Sequence, residues 1–246
     1  MPGPLTLPRS VRLALWLPSG DVARATAAVQ GVDEPHEGLA DVLRAWSGAD
    51  AVVAAALPVP GDPGPVPADV AAAAQDAGEC VLLERRGPAG VATAAAVAVP
   101  GVEQFGSALE PGWHVAWHLV DVEPWSTRFL GTVGSLPEAE QDLRTGLQRA
   151  TEALASLDVA RWREDAAEAI GHLRGDGALD ADLPPGLAGR RVRVLGMAAR
   201  LRAIVDLAAV DDGGAVNLWQ ADQRTAALRD VDRLARRALA SATLTV

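Results

Sequence analysis

The sequence predicts an α+β protein: a small, mostly antiparallel sheet with helices, packed on a C-terminal four-helix layer or bundle. Two observations carry this expectation. The first 134 or so residues alternate short apolar runs with proline- and glycine-rich breaks, whereas residues 135–246 carry apolar positions at steps of three, four and seven. The chain is 246 residues long, enough for a mixed α/β region over 1–134 and a helical region over 135–246, separate or merged in one compact domain.

In the first region, Val11–Leu17 (VRLALWL) reads as a short strand. Ser19 reads as the cap of a helix through about Val29, and Glu37–Trp46 places Leu39, Val42, Leu43 and Trp46 on one helical face. Ala49–Pro60 suits a buried strand. Pro58–Pro67 is proline-rich loop, since proline fixes φ and removes a donor. A short helix is expected over 68–77. ECVLLER and VATAAAVAVP then form two strands around the turn RGPAG, a hairpin pattern. GWHVAWHLVDVEPW is the last strand.

In the second region, Ser135-x-x-Glu138 is a capping box. It opens a helix with Leu136, Leu143, Leu147, Ala150, Leu154 and Leu157 in one stripe. DVARWREDAAEAIGHLRG repeats the pattern, RRVRVLGMAARLRAIVDLAAVDD gives a third helix, and a fourth buries Leu228, Val231, Ala235 and Ala238.

Composition removes many functions. The net charge is −10 and the pI near 4.8, which opposes non-specific nucleic-acid binding and anionic membrane surfaces. No segment approaches the ~20 apolar residues of a membrane span. There is no lysine and no tyrosine, so a P-loop lysine, a Schiff base and tyrosine acid–base chemistry are excluded. The lone Cys80 rules out zinc thiolate clusters and internal disulfides within one chain, and a reducing cytoplasm is the simpler setting.

The stretch Pro111–Trp125, PGWHVAWHLVDVEPW, concentrates the candidate residues. On a helix, His114 and His118 would lie about 6 Å apart and could share a metal. On a strand they lie ~13 Å apart and cannot. The Trp and Val content favours the strand, so no metal pair and no cofactor is expected. The strand end carries His118, Asp121 and Glu123, the candidate general-base set for a hydrolase or metal-assisted enzyme. His118 and Asp121 fall on opposite faces of a regular strand, which counts against a direct pair. Trp113, His114, Trp117 and Trp125 are candidates for lining a ligand site.

Two other groups carry candidate chemistry. Glu164, Glu168 and His172 form an i, i+4, i+8 helical stripe that reads as a solvated face. An arginine run at 190–202 includes Arg193 and Arg200, which could hold a carboxylate or phosphate or neutralise acidic neighbours such as Asp206. No nucleophile elbow or dinucleotide loop is complete. The fuller expectation is a non-catalytic soluble protein. It would act through a homo-oligomer, another protein partner or a small molecule, with neither nucleic acid nor membrane.

LPVPGDPGPVP, AGECVLL, WHVAWHLVDV and the tail VDLAAVDDGGAVNLWQADQRTAALRDVDRLARRAL resemble uncharacterised proteins of GC-rich actinobacteria. That resemblance implies a bacterial cytoplasmic protein and carries no assigned activity.

Overall fold

The computed structural model describes residues 5–31, 34–48, 50–107, 110–156, 179, 183–210 and 218–245. The chain divides into two compact units. One comprises Met1–Leu7, Ser135–Asp180 and Ala188–Ala242; the other comprises Pro8–Gly134, Ala181–Leu187 and Thr243–Val246.

The second of these is an α+β unit built on a five-stranded sheet. Its strands are β1 (His36–Glu37), β2 (Ala51–Ala56), β3 (Cys80–Arg86), β4 (Ala92–Gly106) and β5 (Pro111–Asp121), ordered β1-β5-β4-β3-β2. β2–β3, β3–β4 and β4–β5 pair antiparallel, but β1 runs parallel to β5, so the sheet is mixed. The reason is the route of the chain: β1 adds at the far edge long before β5 is made, and no tight turn joins the two. β2 is buried at every position and is mostly alanine and valine, as a strand covered on both faces must be apolar.

The expected N-terminal strand is a helix. α1 spans Arg9–Trp16 and packs against β2 and β3. Its residues Val11, Leu13, Ala14, Leu15 and Trp16 are all buried, with Arg9 and Arg12 half-buried one turn apart, and so short an apolar run does not separate a buried helix from a strand. α2 (Val22–Val29) starts two residues later than the Ser19 cap implies. Asp21 is its N-cap, accepting from Arg24 N at 3.0 Å, while Ser19 closes a 3-10 turn by donating to Trp16 O at 2.7 Å. α3 (Leu39–Trp46) buries the four expected residues. It opens at Gly38, which has φ 75° and where a Cβ would stand only 3.0 Å from Trp117 O, so glycine is favoured there. α4 (Ala71–Ala77) packs on β4.

α5 (Ser126–Val133) was not expected from sequence. Its start is organised by Glu84 of β3, which is 1% exposed. The Glu84 carboxylate accepts from Trp125 N at 3.0 Å, Ser126 N at 3.1 Å and Ser126 Oγ at 2.7 Å, and from Arg86 Nε at 3.3 Å. Burial pushes this carboxyl up, but the bonds from Ser126, Trp125 and Arg86 outweigh it and hold it below its usual value.

The other unit contains α6 (Leu136–Ser156), α7 (Gly189–Val210) and α8 (Leu218–Thr243), with α6 packed on α7. Leu143, Val194, Leu195, Ala198, Leu201, Val231, Ala235 and Leu239 are buried. The fourth expected helix, DVARWREDAAEAIGHLRG, lies outside the described residues. Among the described residues this unit has three long helices, not the four of the expected layer. Among the described residues no helix is long and apolar enough to cross a membrane.

The last residues of α8 and the segment beyond it return to the sheet unit. Thr243 Oγ1 accepts from Ala55 N at 2.8 Å, Thr245 Oγ1 accepts from Val53 N at 2.9 Å, and Thr245 N donates to Val53 O at 3.0 Å. The outer edge of β2 is thereby satisfied mostly by hydroxyl groups.

Thr243→Val and Thr245→Val each keep the shape and remove one acceptor. Each is expected to destabilise the protein by ~1–3 kcal/mol, read as a fall in the urea midpoint at constant slope. For Glu84, a depressed folded pKa means stability that is present above the ordinary value of 4.5 and is lost as pH falls through the folded value. Glu84→Gln is expected to cost about 2–3 kcal/mol at neutral pH and to flatten this acid limb, measured by denaturant titration between neutral pH and the acid transition.

Candidate functional site

The candidate strand is a strand, Pro111–Asp121, as its composition implies. It lies between β4 and the two-residue β1. Val115 and Trp117 are buried, whereas Trp113 is 42% exposed and Leu119 44%. His118, Asp121 and Glu123 are all exposed, and no hydrogen bond or ion pair joins them. His118 lies over Gly101 of β4. His118 and Asp121 are three residues apart on the strand and so face opposite sides of the sheet.

The tryptophans separate into two kinds. Trp125 is 2% exposed, donates Nε1–H to Leu83 O at 2.9 Å and packs edge-on against Phe129 at 5.4 Å. Trp117 is buried and donates Nε1–H to His36 Nδ1 at 3.2 Å. Trp113 faces solvent. His114 is half-buried, with Nε2 3.7 Å from Glu37 Oε2. On α7, Arg193 is exposed and Arg200 half-buried; their neighbours Arg190 and Arg202 pair with Glu140 at 3.2 Å and Asp232 at 3.6 Å. Glu164, Glu168 and His172 lie outside the described residues. Among the described residues, no three His, Cys, Asp or Glu side chains are grouped to hold a metal.

Trp117 leads to a buried polar chain that the sequence alone did not single out. Indole can only donate, so His36 Nδ1 accepts and the neutral ring carries its proton on Nε2. Nε2 faces Glu34 Oε2 at 3.7 Å. Glu34 is held by Arg9, through Nε at 2.6 Å and through Nη2, and by Gly31 N at 3.2 Å. Glu79 accepts from Ser10 N at 2.8 Å and faces Arg9 Nη1 at 3.5 Å. The His36 side chain is fully buried, and burial lowers its pKa, the attraction of Glu34 only partly opposing this. The chain ties β1 to the start of α1, although the buried His36 Nε2 itself makes no hydrogen bond.

The exposed feature is the far end of the β4–β5 hairpin. The β3 ladder on β4 ends at Val81↔Ala98, yet β4 continues to Gly106, paired only with β5. Val122 N donates to Ala95 O, so odd-numbered residues of β4 direct their backbone groups at β5. The even-numbered ones direct theirs outward. Pro100 has no N–H to leave unpaired there, which is where a proline is tolerated in a sheet. Val102 and Gln104 follow on the same edge, with no strand beside them among the described residues. Val102 is 40% exposed and Phe105 49%. The Phe105 ring lies across Gly112, where a Cβ would stand 2.4 Å from it.

His36 supplies a test of the buried chain. Its folded pKa is below the unfolded 6.5, so the unfolded state binds the extra proton between the two values and stability falls as pH drops below 6.5. His36→Gln keeps an acceptor for Trp117 and has no such titration. Its urea midpoint is expected to vary less than that of the wild type just below pH 6.5, before the carboxylates titrate.

Two family models match the chain. The N-terminal domain of Rv1486c-like protein matches residues 10–129 and its C-terminal domain matches residues 137–240. No curated protein and no solved structure matches it. With both domains matched in order along nearly its whole length, the chain belongs to the Rv1486c-like family, an uncharacterised actinobacterial group.

Proposed function

We propose that the protein is a non-catalytic association protein and that it pairs with a second copy of itself through the open edge of β4. The single observation that carries this is the hairpin end: an unpaired strand edge at Val102 and Gln104, flanked by exposed Val102, Phe105 and Trp113. A long, apolar, uncovered edge is a template for strand addition, and natural monomers blunt such edges with charge, proline or a bulge. Here Pro100 stands at the beginning of the open stretch, and Gly101–Gly106 carries one charge, Glu103. Antiparallel pairing of this edge with its own copy is isologous and closes as a dimer. The aromatic side chains beside it supply the residue types that dominate interface energetics.

Native mass spectrometry and sedimentation equilibrium across a dilution series test this. The wild type is expected to dimerise reversibly, and Val102→Lys with Phe105→Lys to remain monomeric with an unchanged circular dichroism spectrum. A wild type that stays monomeric at every concentration, or a lysine variant that dimerises equally well, would overturn the reading.

A further inference from the structure

A second site lies at the other end of the sheet and is independent of the β4 edge. Beyond the first residues of β2, Pro18, Gly48, Val52, Gly87, Pro88 and Thr245 surround a cleft of about 600 Å³ that opens to solvent. That volume falls within the range of small-molecule pockets, about 300–1,000 Å³. Two prolines and two glycines make its walls compact and largely apolar. Only Arg86 and Asp50 bring charge to it.

Arg86 is placed by specific means. The β3–β4 ladder shifts register between Arg85 and Arg86, and such bulges re-aim side chains. Its Nε donates to Glu84 and its Nη2 donates to Ser126 Oγ at 3.0 Å. The Ser126 hydroxyl in turn donates to Glu84. These two bonds fix the guanidinium plane, while Nη1 takes no partner among the described residues. The side chain is 33% exposed. An arginine already immobilised presents its remaining donors with little further loss of entropy, and a carboxylate is the acceptor its geometry suits.

Asp50 stands at the rim, its carboxylate held by Arg85, which offsets its charge. Arg86 is then the one cation lining the cleft, which a singly charged acid matches better than a dianion such as a phosphate monoester.

The geometry points to this cleft as a binding site for a small monocarboxylate with a compact apolar body, its carboxylate on Arg86 and its body against Pro18, Val52 and Pro88. The test is calorimetric titration of the full-length protein with phenylacetate and isovalerate, using phenylacetamide and phenylphosphate as controls. At least one carboxylate is expected to bind saturably, with the amide and the phosphate each at least about tenfold weaker. Pro88→Trp, which fills the mouth from an exposed turn, is expected to abolish binding at an unchanged thermal midpoint. Arg86→Gln is expected to abolish it as well. Should that variant fail to fold, the amide control and Pro88→Trp still decide the matter. Lack of saturation by both acids, equal binding of acid and amide, tighter binding of the phosphate, or wild-type affinity in Pro88→Trp would each overturn the assignment.

Discussion

A carboxylate sealed inside a sheet must find donors, and Glu84 sets that requirement for this fold. It sits on β3 opposite Val52 and Ala95, with apolar strands on both sides. An ionised group there, left unpaired, would be prohibitively costly. The chain meets the demand by bringing the residues after β5 back across β3, so that two backbone N–H groups, a hydroxyl and Arg86 converge on one side chain. The direction of α5, the burial of Trp125 and the plane of Arg86 all follow from satisfying that charge. Because the donors outweigh the desolvation, the group stays ionised and the arrangement is self-consistent.

A second polar assembly works elsewhere in the sheet unit. Arg9, Glu34, His36, Glu79 and Trp117 link the start of α1, the segment before β1, the start of β3 and β5. β1 has only two residues, too few for a ladder to hold it. Its registry comes from side chains. Non-ladder devices therefore serve both edge strands: the buried ionic chain holds β1, and the threonine hydroxyls cover the outer side of β2. The hairpin end of β4 has neither, which is why it stands out.

Much of this was legible from the residues. The β3–β4 hairpin, the strand at Trp113–Leu119, α3 and, in the long helices, the burial of Leu143, Val194, Ala198, Leu201, Val231, Ala235 and Ala238 follow from local periodicity. The failures share one cause: the deciding partner lies far along the chain. Val11–Leu17 holds one β-branched residue among leucine, alanine, arginine and tryptophan, and so short an apolar run leaves its pattern ambiguous until β2 and β3 pack against it. α5 has no cap of its own, because its cap is a side chain 42 positions earlier. Pro100 reads locally as the end of a strand, whereas it lies past the end of the β3 ladder and β4 runs on to Gly106. In the candidate site, sequence proximity grouped His118, Asp121 and Glu123, which the strand then separates; it could not group Arg9, Glu34 and Glu79, which only the tertiary fold assembles.

The threonine seal on β2 has a consequence for the order of events in the cell. Val53 N and its acceptor are separated by 192 positions. During synthesis β2 and β3 emerge early and can pair at once, but the other side of β2 stays open until residues 243–245 have left the ribosome. Native closure of that edge is thus a late step of high contact order, slower than the local hairpins. Throughout that interval the nascent chain displays a strand of alanine and valine with free N–H groups, the kind of surface that binds a holdase or mispairs with a neighbouring chain. The vulnerable period of this strand is set by the time taken to make the chain between Val53 and Thr245.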